Sequence, residues 1–150
     1  MEKPLVLLAD DNDATCTLIT AVLHRDFVVE VAHDGHEAIE KLKRRQYAAI
    51  LLDLLMPVAD GYTVLDHLQS ESPSTLSRVI VVTASLAPRE MDRVYGYAIR
   101  GVIRKPFEVD LLQAAVRECA GLGGESSLRG PLLAGGMLLV LAAADLLRKM

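Results

Sequence analysis

Asp10 and Asp11 follow the apolar run Leu5 to Ala9, Asp53 follows Ala48 to Leu52, Thr83 follows Val79 to Val82, and Lys105-Pro106 come just after Gly101 to Ile103. Each of these groups has an ordinary structural use by itself. An Asp in such a place caps a helix, a Thr ends a strand, and a Lys before Pro sits in a solvated loop. Together they would bring carboxylates, a hydroxyl and an ammonium to one rim. Three crowded carboxylates repel unless a cation joins them. An all-oxygen donor set with no His or Cys beside it favours Mg²⁺, with Mn²⁺ as the second choice. Such an ion leaves positions for phosphate oxygens, and a Lys and a Thr hydroxyl can hold the remaining ones. The set suits phosphoryl transfer by positioning and charge neutralisation. A carboxylate would be the nucleophile, because no Ser-His or Cys-His arrangement appears.

The elements that must position these groups are legible as strands and helices in alternation. The apolar runs, with Val28 to Val31 as a further short β-branched one, lack clean alternation, as expected of strands covered on both faces. Helical three-and-four spacing falls between them, over Asp13 to His24, Gly35 to Arg45, Gly61 to Gln69, Pro88 to about Ile99, and Glu108 to Ala120. A β-α unit repeated five times predicts an α/β fold with a parallel sheet and right-handed crossovers. Ligands in such sheets bind beyond the C-terminal ends of the strands, where the polar groups fall.

The chain has 150 residues, 51% hydrophobic and 24% charged, with a net charge of −4. It can fill one core and is not a disordered tail. The acidic balance argues against direct nucleic-acid binding. Cys16 and Cys119 form no ligand-spaced pair, and the N-terminal apolar run is too short for a signal peptide, so the cytoplasm is the expected location.

The motifs Leu-Leu-Ala-Asp10-Asp11-Asn, Leu-Leu-Asp53-Leu-Leu-Met56-Pro57 with Asp60-Gly61, Val-Val-Thr83-Ala84-Ser and Arg-Lys105-Pro106-Phe107 occur in order over roughly residues 3 to 120. In this the sequence resembles the receiver domain of two-component response regulators, of the single-domain chemotaxis-regulator kind. The resemblance implies a flavodoxin-like, doubly wound five-stranded sheet of order 2-1-3-4-5. It implies that Asp53 accepts a phosphoryl group from a histidine kinase or phosphotransfer protein, so that the chain acts as a signalling phospho-acceptor and not an enzyme on other substrates. Asp11 and Asp53 would bind Mg²⁺ together with the Leu55 backbone carbonyl, Asp10 acting largely through water. Thr83 and Lys105 would contact phosphate oxygens, Ala84 would leave the phosphate accessible, and the bond before Pro106 would be cis. Output would pass through protein contacts to a downstream target.

The sequence departs from the family at Val102, where an aromatic residue is frequent and its swing couples to the Thr; Tyr95 and Tyr97 are the nearby aromatics. Two other readings stay open, a phosphorylation-independent pseudo-receiver acting as an interaction module, and a flavodoxin-like enzyme or cofactor binder. The latter would need a Gly-rich loop where Asp10-Asp11-Asn12-Asp13 stands. The expected organisation is a receiver over 1–120, a Gly/Ser-rich linker over 121–130 and an apolar tail over 131–150. Residues 131–144 carry no charge, which as a helix covers about 21 Å at about 1.5 Å per residue. That is short of a bilayer core of about 30 Å, so no membrane span is expected. Packing on the receiver, on a partner, or in a homodimer through the tail or the fourth helix–fifth strand–fifth helix face is expected instead.

Overall fold

The computed structural model describes residues 2–84 and 87–122. The tail assigned from the sequence lies outside the described residues. Five parallel strands, β1 (Leu5–Ala9), β2 (Val28–Ala32), β3 (Ala49–Leu52), β4 (Val79–Thr83) and β5 (Gly101–Arg104), form one sheet in the order β2-β1-β3-β4-β5. Helices α1 (Asp13–Leu23), α2 (Gly35–Arg44), α3 (Gly61–Glu71), α4 (Pro88–Tyr95) and α5 (Val109–Cys119) connect them, and a 3-10 turn over Pro73–Arg78 leads into β4. The flavodoxin-like α/β fold and its strand order are those the resemblance implies.

The strands read as unbroken aliphatic runs because both faces are covered. β3 and β4 are buried at every position. One core holds Leu7, Ile50, Leu52, Leu65 and Val81 under α2, α3 and α4, and the other holds Val6, Leu8, Ile19, Leu51 and Leu112 under α1 and α5. α4 is shorter than its sequence pattern predicts. It ends at Tyr95 and its backbone closes on Gly96, not near Ile99. Ile99 is instead a buried residue of the approach to β5. The cap of α1 is Asn12, whose side chain accepts from the Thr15 N–H; neither Asp10 nor Asp13 caps it.

The loop between β3 and α3 is pinned at its end by a close backbone approach. The Gly61 N–H donates to the Leu54 carbonyl at 2.9 Å. A Cβ on Gly61 would lie 2.4 Å from the Asp53 carbonyl oxygen, closer than any real contact. Gly61→Ala must therefore push α3 away from the end of β3. Urea unfolding should show a loss of about 2–3 kcal/mol; an unchanged midpoint would contradict the close packing.

Candidate functional site

The parallel arrangement sends every strand's C-terminal end to the same edge, and there Asp10, Asp11, Asp53 and Lys105 converge. Each of the three acids offers a carboxylate oxygen within 4.8 Å of the others. Among the described residues this is the one such cluster of His, Cys, Asp or Glu. Asp10 and Asp53 are buried and Asp11 is exposed. Lys105 Nζ lies 2.6 Å from Asp10 Oδ2 and 3.1 Å from Asp53 Oδ2. Burial works against the lysine's charge, but the hydrogen bond it donates to Asp10 and the charges of Asp53 and Asp10 outweigh it and raise its pKa. The donor set, all oxygen and excess acid, fits a hard divalent cation; Asp10, Asp11 and Asp53 could hold it.

Local backbone hydrogen bonds fix two of the three acids. Asp10 Oδ1 accepts from the Asn12 N–H at 2.9 Å, and Asp53 Oδ1 accepts from the Leu55 N–H at 3.2 Å. The Asp10 carbonyl accepts from the Cys16 thiol at 3.3 Å. Burial, with Asp10 adding, pushes that thiol up to about 11, so Cys16 is a poor nucleophile near neutrality. Thr83 ends β4 fully buried, and its carbonyl accepts from the Lys105 N–H at 3.0 Å. Ala84 is exposed beside it. The Lys105-Pro106 bond is cis. Val102 is 1% exposed and belongs to the core beneath α4, set back from the rim.

Two apolar side chains flank the acids on the β3–α3 loop, Leu55 at 61% and Val58 at 81% exposure. Val58 holds φ at 68°, a conformation that opposes its branched Cβ at a cost of about 1–3 kcal/mol. The Ala59 carbonyl that follows accepts from the Gly35 N–H at 2.8 Å, which ties this loop to the start of α2.

A second polar group, not foreseen from the sequence, joins α3 to α4. The Tyr62 hydroxyl donates to Glu90, the Tyr97 hydroxyl donates to Asp66, and the Arg93 guanidinium lies 3.6 Å over the Tyr62 ring centroid. Sequence separations of 28 and 31 residues carry no local signal of these pairs. Tyr95 packs against the core instead, with its hydroxyl buried and unpartnered. Since α4 buries only Val94 completely, the polar brace is a large share of what seats it.

The chain matches the family model described as the response regulator receiver domain over residues 6–117. It is 34% identical over 115 residues to the transcriptional regulatory protein TrcR of Mycobacterium tuberculosis, covering 75% of this chain and 43% of that protein. It is 32% identical over 109 residues to the signal transduction histidine-protein kinase BarA of Escherichia coli, covering 71% of this chain and 12% of that protein. The chain thus spans less than half the length of these curated relatives. Among solved structures it is similar to the receiver domain of the Francisella response regulator 1452, with a TM-score of 0.72 at 26% identity over 79% of this chain and 98% of that one. It is similar also to the receiver domain of the sensor histidine kinase PA1611 of Pseudomonas aeruginosa, solved with a magnesium ion in its active site cleft, at TM-score 0.71, 26% identity and the same coverage of 79% and 98%.

The brace makes a pH prediction. Burial and then the hydrogen bonds to Glu90 and Asp66 raise the Tyr62 and Tyr97 phenols above their ordinary 10.0, Tyr97 to about 12. A raised folded pKa gives stability that is whole below pH 10 and is lost as pH climbs through the folded value. Thermal unfolding followed from pH 8 to 12 should show the midpoint falling above about pH 10, and Tyr97→Phe should make that fall shallower. An identical alkaline profile in the variant would remove the brace from the account.

Proposed function

The chain belongs to the response regulator receiver domain family of two-component signalling, and from that membership we propose that Asp53 accepts a phosphoryl group from a histidine kinase or a phosphotransfer protein. One observation carries the reading: Asp10, Asp11 and Asp53 crowd within 4.8 Å while the Lys105 ammonium touches two of them. That arrangement stores negative charge where an anionic group must be brought to an anionic nucleophile, which is workable only with cations at hand.

In the proposed step an Asp53 carboxylate oxygen forms the new O–P bond as the donor's P–N bond breaks, and the electron pair leaves with the donor imidazole. The Leu55 N–H holds the other Asp53 oxygen and so orients the attacking one. Lys105 neutralises charge on the transferring phosphoryl oxygens and afterwards pairs with the acyl phosphate. Mg²⁺, or Mn²⁺ in its place, would be held by Asp11, Asp53 and the Leu55 carbonyl, with Asp10 acting through water, and would supply further neutralisation. Thr83 offers its hydroxyl to a phosphate oxygen, and Ala84 keeps the approach open. The phosphorylated acid is a mixed anhydride that water cleaves, so the mark is temporary.

Output is proposed to run through protein contacts. Phosphorylation adds charge and acceptor oxygens at Asp53, draws Thr83 toward them, and biases a two-state equilibrium of the segment leading into α4. Val102 supplies no aromatic ring for this coupling, so the α3–α4 brace is the polar connection through which α4 would feel the site. Among the described residues no helix is long and apolar enough to cross a membrane. Cys16 and Cys119 are both free thiols.

Incubation with a small radiolabelled acyl phosphate in Mg²⁺ should label the wild type. Asp53→Asn should reduce labelling by about 100-fold or more, and chelation of the metal should do likewise. Labelling that persists in Asp53→Asn would refute the assignment. Beryllofluoride with Mg²⁺ should raise the unfolding temperature of the wild type by a few degrees and leave Asp53→Asn unmoved.

A further inference from the structure

After its first residue, Asp13, helix α1 is uncharged on both faces. Its inner stripe, Cys16, Ile19 and Leu23, is buried in the core. Its outer stripe, Ala14, Thr17, Leu18 and Ala21, has the i, i+3, i+4, i+7 spacing of one helix face. All four are exposed, Leu18 at 47%. No charged residue stands between Asp13 and Arg25. Helix α2 is the ordinary contrast, with Glu40, Lys43 and Arg44 among its exposed positions. A surface helix normally carries charge on its outer face, and a contiguous uncharged face marks a surface that something covers. This face borders a groove of about 520 Å³ between α1 and strand β2, with Cys16, Thr20, Ala21 and Val31 in its walls and Asp13, His24 and His33 also lining it. β2 is an edge strand, and Val28 at its start is 49% exposed.

The chain itself holds a segment of matching chemistry that starts close by. α5 lies against α1: Arg117 Nη1 is 2.7 Å from Asp26 Oδ2, and Gln113 Nε2 donates to the Val22 carbonyl at 3.4 Å. The described chain reaches Leu122 shortly after α5, and the Leu122 N–H donates to the carbonyl of Arg117, whose side chain pairs with Asp26 just past the end of α1. Residues 123–130, rich in Gly and Ser, follow, and residues 131–144 then carry no charge. Eight linker residues reach up to about 26 Å when extended, and the eleven residues of α1 span only about 16 Å. Every point on the stripe is within reach of the tether. A tether this short gives an effective local concentration on the order of millimolar, which favours the same molecule over a second copy.

We propose that residues 131–144 dock within the same molecule on the outer stripe of α1 and its groove toward β2.

Amide hydrogen exchange on the full chain tests this. Residues 131–144 should exchange about tenfold more slowly than an unstructured peptide. Leu18→Lys, and separately Ala21→Lys, should return them to peptide rates while the amides of β1 and β3 stay slow; should Leu18→Lys also loosen β1 and β3, Ala21→Lys decides. Peptide-like exchange in the wild type overturns the proposal. So does protection that survives substitution, protection that rises with protein concentration and marks a second copy, or protection that appears only with phosphatidylcholine vesicles.

Discussion

The ammonium of Lys105 stands between two buried carboxylates, 2.6 Å from Asp10 and 3.1 Å from Asp53, and the shape of the rim follows from it. Like charges at this spacing in a half-desolvated cleft repel strongly. Breaking a buried pair by removing one partner is worth about 3–5 kcal/mol, because the other charge stays behind uncompensated. The lysine is delivered by the end of β5, whose neighbour β4 accepts the Lys105 N–H at the Thr83 carbonyl. Asp10 and Asp53 are delivered by β1 and β3, which are paired directly. Charge balance at the rim is therefore a property of the parallel sheet. Only strands running the same way could bring residues 10, 53 and 105 to one end.

Helices α3 and α4 are held in different ways. α3 starts with its backbone against the Asp53 carbonyl and buries Tyr62, Val64, Leu65 and Leu68, so it moves only with the core. α4 buries Val94, lays Tyr95 against the core, and is joined to α3 by a phenol–carboxylate and cation–π brace. Apolar packing resists displacement at every step, whereas a few polar contacts can be exchanged for water at small net cost. The difference makes α4 easier to displace than α3.

Much of this was legible in the residues. Both-faces-buried strands advertise themselves as short aliphatic runs, and Asp10, Asp53, Thr83 and Lys105 were legible as strand-end groups because strand ends are where the apolar runs stop. The end of α4 was not. Ala98 and Ile99 continue the apolar spacing, yet Gly96 breaks the helix and Ile99 is buried by the chain's turn into β5. Pro73–Arg78 coils into a 3-10 turn around Leu76, a single buried side chain too isolated to make a period. The Tyr62–Glu90 and Tyr97–Asp66 pairs are tertiary, and helix positions alone do not say which neighbour a phenol will find. Asn12 outcompeted its acidic neighbours as the cap because Asp10 and Asp11 are directed to the rim.

The stretch from Asp53 to Gly61 has both flanks anchored by backbone hydrogen bonds, one between Gly61 and Leu54 and the other between Ala59 and Gly35. Its one awkward backbone angle, at Val58, lies between these anchors. The side chains of Leu55 and Val58 can vary, since both are mostly exposed, but the number of residues cannot. An insertion or deletion would have to break one anchor or shift the phase of α3 by about 100° per residue, turning Val64, Leu65 and Leu68 out of the core. This loop can diversify by replacement alone, and its length is as much a signature of the site as its acids are.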